Sequence, residues 1–378
     1  MKLYEYQAKN VFSKAGIKIP KSVLIEKNEE LENALIEIGV PCVVKSQVLS
    51  GGRGKAGLVK FTKTKEEATL ETKRLFEHEL NIKKILIEEA VNIEKEIYVS
   101  MTVDPYLGTG LLIVSAEGGI DIETLAVTQP DKIIKEPIDL RYGLMPFQAS
   151  RVAYSLNQPK VVTKALIKLF LNLYNVFRKY DAELVEINPL FITKDLEVIA
   201  GDGKLMIDDN SMFRQPEFEK GQSDYKSVAE FEAAKEGIPF IEFDGDIGLM
   251  CAGAGLTTTV YDLIHYEGGT IANYLEFGGP HYKKAVKAME ICLKVPSKVI
   301  LIVTFGTIAR ADVMAEGIVE AINRLKPDRP IVTCIRGTNE QEAVKILRAA
   351  GLQPLFDTEE AVRKAVEIAK GGAQWVYS

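Results

Sequence analysis

Four of the seven residues at positions 51–57 are glycine: Gly51, Gly52, Gly54 and Gly57, with Arg53 and Lys55 between them. Glycine lets a backbone approach an anion closely, and successive backbone N–H groups with interleaved cations suit phosphate. Lys45, at the end of the apolar run Cys42-Val43-Val44, can reach the same anion. The segment is not a Walker loop, because Gly-x-x-x-x-Gly-Lys-Ser/Thr is absent. A flexible solvated turn would have the same composition.

Two acidic groups follow. Glu88 and Glu89 close the apolar run Ile85-Leu86-Ile87, while Glu94, Glu96 and Tyr98 alternate, so that Glu94 and Glu96 share a face of a strand. A carboxylate placed there can accept hydrogens from a ribose or a base, or can simply lie on a solvated edge. Further on, Glu186-Ile187-Asn188-Pro189 precedes Asp202 in Gly201-Asp202-Gly203-Lys204. Glu186 and Asn188 fall on one face, with Ile187 inward. Mg²⁺ takes one or two protein oxygens alongside nucleotide phosphates and water, a role open to Asn188 and Asp202. Capping and turn formation are the alternative uses of the same residues.

In the last third, Ala252-Gly253-Ala254-Gly255 separates a strand from a helix, as does Thr304-Phe305-Gly306-Thr307-Ile308-Ala309. Either loop would aim backbone N–H groups and the positive end of a helix at an anion. Ordinary tight turns have the same form, and the third glycine of a dinucleotide loop is missing from the first.

The elements that must hold these residues follow from hydrophobic period. Residues 4–15, 29–38, 65–75 and 161–180 read as helices; residues 20–25, 42–45, 58–61, 85–88, 96–102, 111–115, 182–187 and 196–199 read as strands. That order predicts an α+β arrangement up to about residue 225. Residues 226–239 are assigned as a linker, within a polar stretch at 214–238 that could also form a short exposed helix. From residue 240, strands at 247–251, 272–275, 299–303 and 331–334 alternate with helices at 257–266, 282–294, 308–325 and 340–349. Strict alternation predicts a doubly wound parallel sheet.

Length and composition narrow the function. A chain of 378 residues suggests two or three domains. Its net charge of −6 argues against general binding to nucleic acid or anionic membrane, which needs a basic surface. Cys42, Cys251, Cys292 and Cys334 lack metal-ligand spacing and read as free buried thiols of a reducing compartment. His78, His265 and His281 are the only histidines, too few for a multi-histidine zinc site. The first residues contain no apolar signal core, which points to the cytoplasm.

Taken in order, Tyr4-Glu5-Tyr6-Gln7-Ala8-Lys9, the loop at 51–57, Glu117-Gly118-Gly119-Ile120-Asp121-Ile122-Glu123, Glu186-Ile187-Asn188-Pro189-Leu190, Asp202-Gly203-Lys204 and Phe213-Arg214-Gln215-Pro216 resemble the β subunit of ADP-forming succinyl-CoA synthetase nearly end to end. The resemblance implies an ATP-grasp domain over residues 1–225 and a flavodoxin-like domain over residues 240–378. It implies nucleotide binding by Lys45, Gly52, Arg53, Gly54, Glu88, Glu96 and the backbone near Val91, and Mg²⁺ held by Asn188 and Asp202. Glu186 would meet a phosphorylated histidine. ATP is the implied donor, with GTP as the alternative. In this family the phosphohistidine and the CoA site belong to a separate α subunit, and none of the three histidines here sits in a comparable motif.

Departures fall in the second domain. The family's Asn-Gly-Ala-Gly is Ala252-Gly253-Ala254-Gly255 here, its Phe-Gly-Gly-Ile is Phe305-Gly306-Thr307-Ile308, and its Gly-Gly-Gly is Gly278-Gly279-Pro280. The two loops carrying Ala252 and Gly253, and Thr307, Ile308 and Ala309, would face the acid or the phosphohistidine. Succinate is the acid implied by the resemblance, with malate or citrate as alternatives, since alanine at Ala252 also resembles ATP-citrate lyase and citryl-CoA synthetase.

Overall fold

Helix α1 (Glu5–Lys14) forms where Ala8, Val11 and Phe12 recur at helical spacing and bury completely or nearly so. After it come β1 (Ser22–Ile25), α2 (Leu31–Ile38), β2 (Cys42–Ser46), β3 (Val59–Thr62), α3 (Lys65–Phe76) and β4 (Ile85–Glu89). The computed structural model describes residues 1–49, 52–218, 221–222, 225–278, 284–306 and 310–372. It divides into two compact units, Met1–Glu219 and Lys220–Ser378.

The strands named so far make a four-stranded antiparallel sheet in the order β1-β4-β2-β3. One face takes Leu31, Leu35, Ala68 and Leu75 from α2 and α3 onto Val44, Ile85 and Ile87. The remainder of the first unit is β5 (Ile93–Asp104), β6 (Thr109–Ser115), α4 (Ile122–Thr128), β7 (Ile133–Ile138), α5 (Pro146–Ser155), α6 (Lys160–Lys179), β8 (Ala182–Thr193), β9 (Val198–Ala200) and β10 (Lys204–Ile207). Its second sheet runs β10-β8-β5-β6-β7, with β9 on β8. Val99, Met101, Val185, Ile187 and Leu205 lie in one core with Phe12 of α1 and Phe170 and Leu173 of α6. Period 2 therefore turns Ser100, Glu186 and Lys204 to the other face.

The second unit contains α7 (Val228–Glu236), β11 (Phe240–Glu242), β12 (Ile247–Cys251), α8 (Ala254–Tyr266), β13 (Ile271–Leu275), α9 (Ala285–Leu293), β14 (Val299–Gly306), α10 (Ala311–Leu325), β15 (Ile331–Gly337), α11 (Glu340–Ala349) and α12 (Thr358–Ala369). Its sheet is β11-β13-β12-β14-β15, parallel throughout except for β11, which joins β13 antiparallel at the edge. The run Val299 to Thr304 is wholly buried, because cores cover both faces of the sheet.

Three expectations change. Residues 226–239 are not a bare linker: α7 occupies 228–236, and Ala229 and Ala233 bury in the core of the second unit. Residues 182–187 do not stop at Pro189, since β8 continues to Thr193. The missing N–H of Pro189 falls opposite the register shift between Ile97 and Val99 in β5, where no ladder bond is demanded. The alternation also continues past residue 349, into α12. No helix among the described residues is long and apolar enough to cross a membrane.

All four cysteines are free and buried. Burial pushes the Cys292 thiol up to about 12, and it raises Cys42, Cys251 and Cys334 as well. At pH 8 a thiol with that value is ionised in about one molecule in ten thousand. Native protein at pH 8 should therefore consume almost no thiol reagent within minutes, and four equivalents after denaturation. Rapid native labelling of Cys292 would contradict the burial described.

Candidate active site

Two charged residues sit on the buried face of α1. Glu5 and Lys9 share that face with Ala8 and Phe12, and both are almost completely buried. Isolated charges would not survive there; paired ones do. Glu5 lies 2.9 Å from Lys9, 3.0 Å from Lys45 of β2 and 2.6 Å from Arg53 of the flap between β2 and β3. Glu88 at the end of β4 pairs with Lys9 and, at 2.7 Å, with Lys45. Arg53 reaches on to Asp202, donating to both carboxylate oxygens at 2.9 and 3.1 Å. Three carboxylates and three cations thus balance in one network.

The flap is built for this reach. Gly52 has a φ of 71°, open to glycine at little cost, and the chain then turns back through Ala56 N–H to Gly52 C=O and Leu58 N–H to Arg53 C=O. That winding sends the Arg53 guanidinium inward, where it also donates to the Ser46 carbonyl at 3.0 Å. Lys45 donates to the Gly201 carbonyl at 2.8 Å, so one ammonium ties β2 to the turn carrying Asp202.

Electrostatics follow from the pairing. Burial alone would push the Lys45 ammonium down, but Glu5, Glu88 and Asp202 outweigh it and hold it above its ordinary range. Burial would likewise raise Glu5, yet Lys45, Lys9 and Arg53 hold its carboxyl well below the usual carboxylate value. Asp202 moves the other way: desolvation in its recess and the nearby Glu5 raise it, against the pull of Arg53 and Lys45. Its side chain is 37% exposed, on the wall of an open cavity.

That cavity has a volume of about 800 Å³. Its walls include Lys45, Gly52, Arg53, Gly54, Glu88, Val91, Glu186, Asn188 and Asp202. Along β2 and β3 the lining changes character. Lys45 faces Val59 in register, and two residues away Val43 faces Phe61. Charged groups therefore give way to apolar ones, with Val91 and Phe191 also on the wall. A ligand with one anionic and one flat apolar end matches that gradient. Asn188 Oδ1 accepts from Gly119 N–H at 2.8 Å and its amide donates to Ile120 C=O at 3.0 Å, fixing the side chain. One carboxylate and one amide oxygen on a shared wall form a donor set that fits Mg²⁺, a cation that keeps several waters or phosphate oxygens of its own. Glu186 is held by Tyr98, whose hydroxyl lies 3.0 Å from Oε2 and 2.9 Å from Ser100 Oγ.

Residues 2–192 match the ATP-grasp domain family and residues 250–368 the CoA-ligase family. Across 377 residues the chain is 68% identical to an ADP-forming sulfoacetate–CoA ligase subunit, SqwK, of Acholeplasma sp, covering 100% of this chain and 94% of that one. It is 58% identical to the corresponding subunit, SauC, of Bilophila wadsworthia, covering 99% and 100%. The β subunit of ADP-forming succinate–CoA ligase from Ignicoccus hospitalis is 42% identical, covering 98% and 100%. The chain belongs to the family of ADP-forming acid–CoA ligase β subunits. Among solved structures, ATP citrate lyase of Methanothrix soehngenii, with citrate and coenzyme A, superposes with a TM-score of 0.77 at 21% identity, covering 97% of this chain and 99% of that one. This last likeness concerns the fold alone.

Not every expected residue stands free on the cavity wall. Both oxygens of Glu88 are taken by Lys9 and Lys45, so its carboxylate aims a lysine instead of offering itself to a nucleotide. Glu96 is not among the lining residues; its carboxylate lies against Gly119, where φ is 69° and any Cβ would strike it. Ala252 follows β12 directly and Gly253 caps α8 in the second unit. Thr307, Ile308 and Ala309 lie outside the described residues, as do Gly51 and Pro280.

Glu5 and Lys9 are site residues absent from the sequence expectation, although two charges at positions 5 and 9 fall on the stripe formed by Ala8 and Phe12. Breaking such a buried network from one side costs about 3–5 kcal/mol. Glu5→Ala should lose that much in urea unfolding, with Glu5→Gln losing less. Because the folded value of Glu5 lies below its ordinary 4.5, its stabilisation is complete above that pH and is lost as pH falls through the folded value. The acid limb of the wild-type stability profile should therefore be steeper than that of Glu5→Gln. Parallel limbs would contradict the pairing.

Proposed function

We propose that this chain is the nucleotide-binding subunit of an ADP-forming sulfoacetate–CoA ligase, and that it passes the terminal phosphoryl group of ATP to a histidine on a partner subunit. The observation that carries the phosphoryl-transfer reading is the convergence of Lys45, Arg53, Asn188 and Asp202 on one cavity. The choice of acid rests on whole-chain identity, 68% and 58% to two sulfoacetate-acting relatives against 42% to a succinate-acting one. The alanine at Ala252, where the family usually has asparagine, fits a change of acid.

In this reading the adenine lies along Val43, Phe61 and Val91, and the phosphates reach toward Lys45 and Arg53. Asn188 and Asp202 would hold Mg²⁺, which would supply charge neutralisation at the phosphate oxygens. Arg53 exchanges its bond to Asp202 for phosphate oxygens, so the carboxylate is released as the guanidinium finds its ligand. An unprotonated imidazole nitrogen of the partner attacks the γ-phosphorus. A P–N bond forms as the bond to the β–γ bridging oxygen breaks, and that electron pair leaves on ADP. Glu186, held by Tyr98, accepts a hydrogen bond from the ring's other N–H. Catalysis of this kind is mainly positioning and charge stabilisation, which a preorganised network supplies. The phosphoryl group then passes to the acid's carboxylate, and CoA sulfur displaces phosphate to give the thioester. Carrying the group on histidine lets nucleotide and acid chemistry occupy separate sites.

Asp202→Ala should abolish ATP-dependent phosphorylation of the partner while leaving the partner's CoA binding intact; undiminished labelling would remove the metal assignment. With the reconstituted complex and a panel of sulfoacetate, succinate, malate and citrate, kcat/KM for sulfoacetate should lead that for succinate by about a hundredfold, the scale on which a pocket separates substrates of similar size. Equal or inverted values would overturn the choice of acid. The pure single chain should make no acyl-CoA at all.

A further inference from the structure

Lys204 belongs to the Asp202-Gly203-Lys204 motif, yet its charge takes no part in the ion-pair network around Glu5. It opens β10, directly opposite Glu186 of β8 in register, and Glu186 in turn stands opposite Ser100 of β5. Partners in register share a face, so Ser100, Glu186 and Lys204 form a row across the sheet on the side away from the core. Lys2 joins them. The first residues run antiparallel to β10, with Lys2 bridged to Met206, and Met206 shares a face with Lys204 two positions away. Lys2 and Lys204 are therefore diagonal cross-strand neighbours, about 7–8 Å apart at the backbone and within reach at their tips.

Both lysines line the nucleotide cavity beside Arg53. Each is half-buried. Among the described residues neither has a carboxylate within ion-pairing distance, in contrast to Lys9, Lys45 and Arg53. Lys2 is not a loose surface chain, because its ammonium donates to the Leu49 carbonyl. Its proton affinity is lowered, first by burial and then by Lys204 and Arg53. The one carboxylate in their row is Glu186, which partly offsets them; with Arg53 beside them, Lys2 and Lys204 still leave that wall an excess of positive charge, and the anion that this cavity would receive is phosphate.

We propose that Lys2 and Lys204 form a phosphoryl subsite beside Glu186, contacting the oxygens of the γ-phosphoryl group as it leaves ADP for the partner's histidine. The inference rests on the phosphoryl-donor reading above and adds a location to it. Lys45 and Arg53 already have carboxylate partners in the absence of ligand. Lys2 and Lys204 supply positive charge that the internal network does not cancel, next to the carboxylate assigned to the incoming ring. During transfer the bridging P–O bond breaks and the P–N bond forms, so negative charge on the three non-bridging oxygens must be held without water; two ammonium groups on a fixed sheet do this.

The test uses Lys204→Met, the double variant Lys2→Met/Lys204→Met, and Lys204→Arg as the conservative control, each assembled with the partner subunit. Single-turnover phosphorylation of the partner at saturating MgATP should fall about a hundredfold in the double variant, the scale of losing a preorganised charge contact. Lys204→Arg should recover most of it. Calorimetric affinity for MgADP should stay within about twofold, because ADP lacks the group these lysines hold, while affinity for a non-hydrolysable MgATP analogue falls. Unchanged phosphorylation by the double variant overturns the subsite. So does an equal loss of ADP affinity, which would make the lysines general supports of the cavity. A wild-type complex that never labels the partner would instead remove the phosphoryl-donor reading, and the subsite with it.

Discussion

A carboxylate buried on the inner face of a helix needs positive partners, and in this protein that requirement organises the nucleotide half of the chain. Glu5 can stay charged inside the first unit only because Lys9, Lys45 and Arg53 surround it. Those three are drawn from a helix, a strand of the four-stranded sheet and a glycine flap. Glu88 and Asp202 complete the balance from β4 and from the turn before β10. The position of the flap, the aim of Lys45 and the orientation of Asp202 are thus solutions to one electrostatic condition.

Such a network is a poor device for stability alone. Well-packed apolar residues of similar volume commonly match or exceed a buried ion cluster, because desolvation of the charges offsets their attraction. What the cluster does supply is charge held at fixed positions on the edge of a cavity, with little reorganisation needed when a polyanion arrives. The six-stranded sheet divides the labour by its pleat. Val185, Ile187 and Leu205 bury against α1 and α6, and the alternate residues Glu186 and Lys204 face the cavity. A shift of register by one residue would bury the charges and expose the core, so the packing that stabilises the sheet also specifies which face does chemistry.

Much of this was legible in the residue order. The flap, the lysine at the end of β2 and the shared face of Glu186 and Asn188 are local patterns: glycine density, a strand with a charged terminus, period 2. The strand–helix alternation of the second unit is equally local, and α7, β11 and α12 escaped it. What sequence could not convey was partnership. Glu5 and Lys45 are 40 positions apart, and Lys45 and Gly201 are 156 apart, so the roles of Glu5 and Lys9 appear only when the chain has folded. Glu88 shows the converse. Its place at the end of a strand suggested a free acceptor for a nucleotide, but the fold surrounds it with ammonium groups. Lys2 and Lys204 stand 202 positions apart in number and adjacent on the sheet, a proximity created by the N-terminal segment running along β10.

The proposed change of acid has a physical logic that leaves this half of the chain untouched. A carboxylate is planar and offers two oxygens to a donor such as an asparagine amide; a sulfonate is tetrahedral, spreads its charge over three oxygens and is held well by several weaker donors in a cup. An alanine at Ala252 removes the directional amide and leaves the backbone at the start of α8, whose first N–H groups lack a side-chain cap. Helix N-termini bind oxyanions, tetrahedral ones included, through such N–H groups. The nucleotide chemistry asks for the same triphosphate whichever acid is activated, so substitutions that retune the acid can gather in the second unit while Glu5, Lys45, Arg53 and Asp202 remain bound to one another by the charge condition they share.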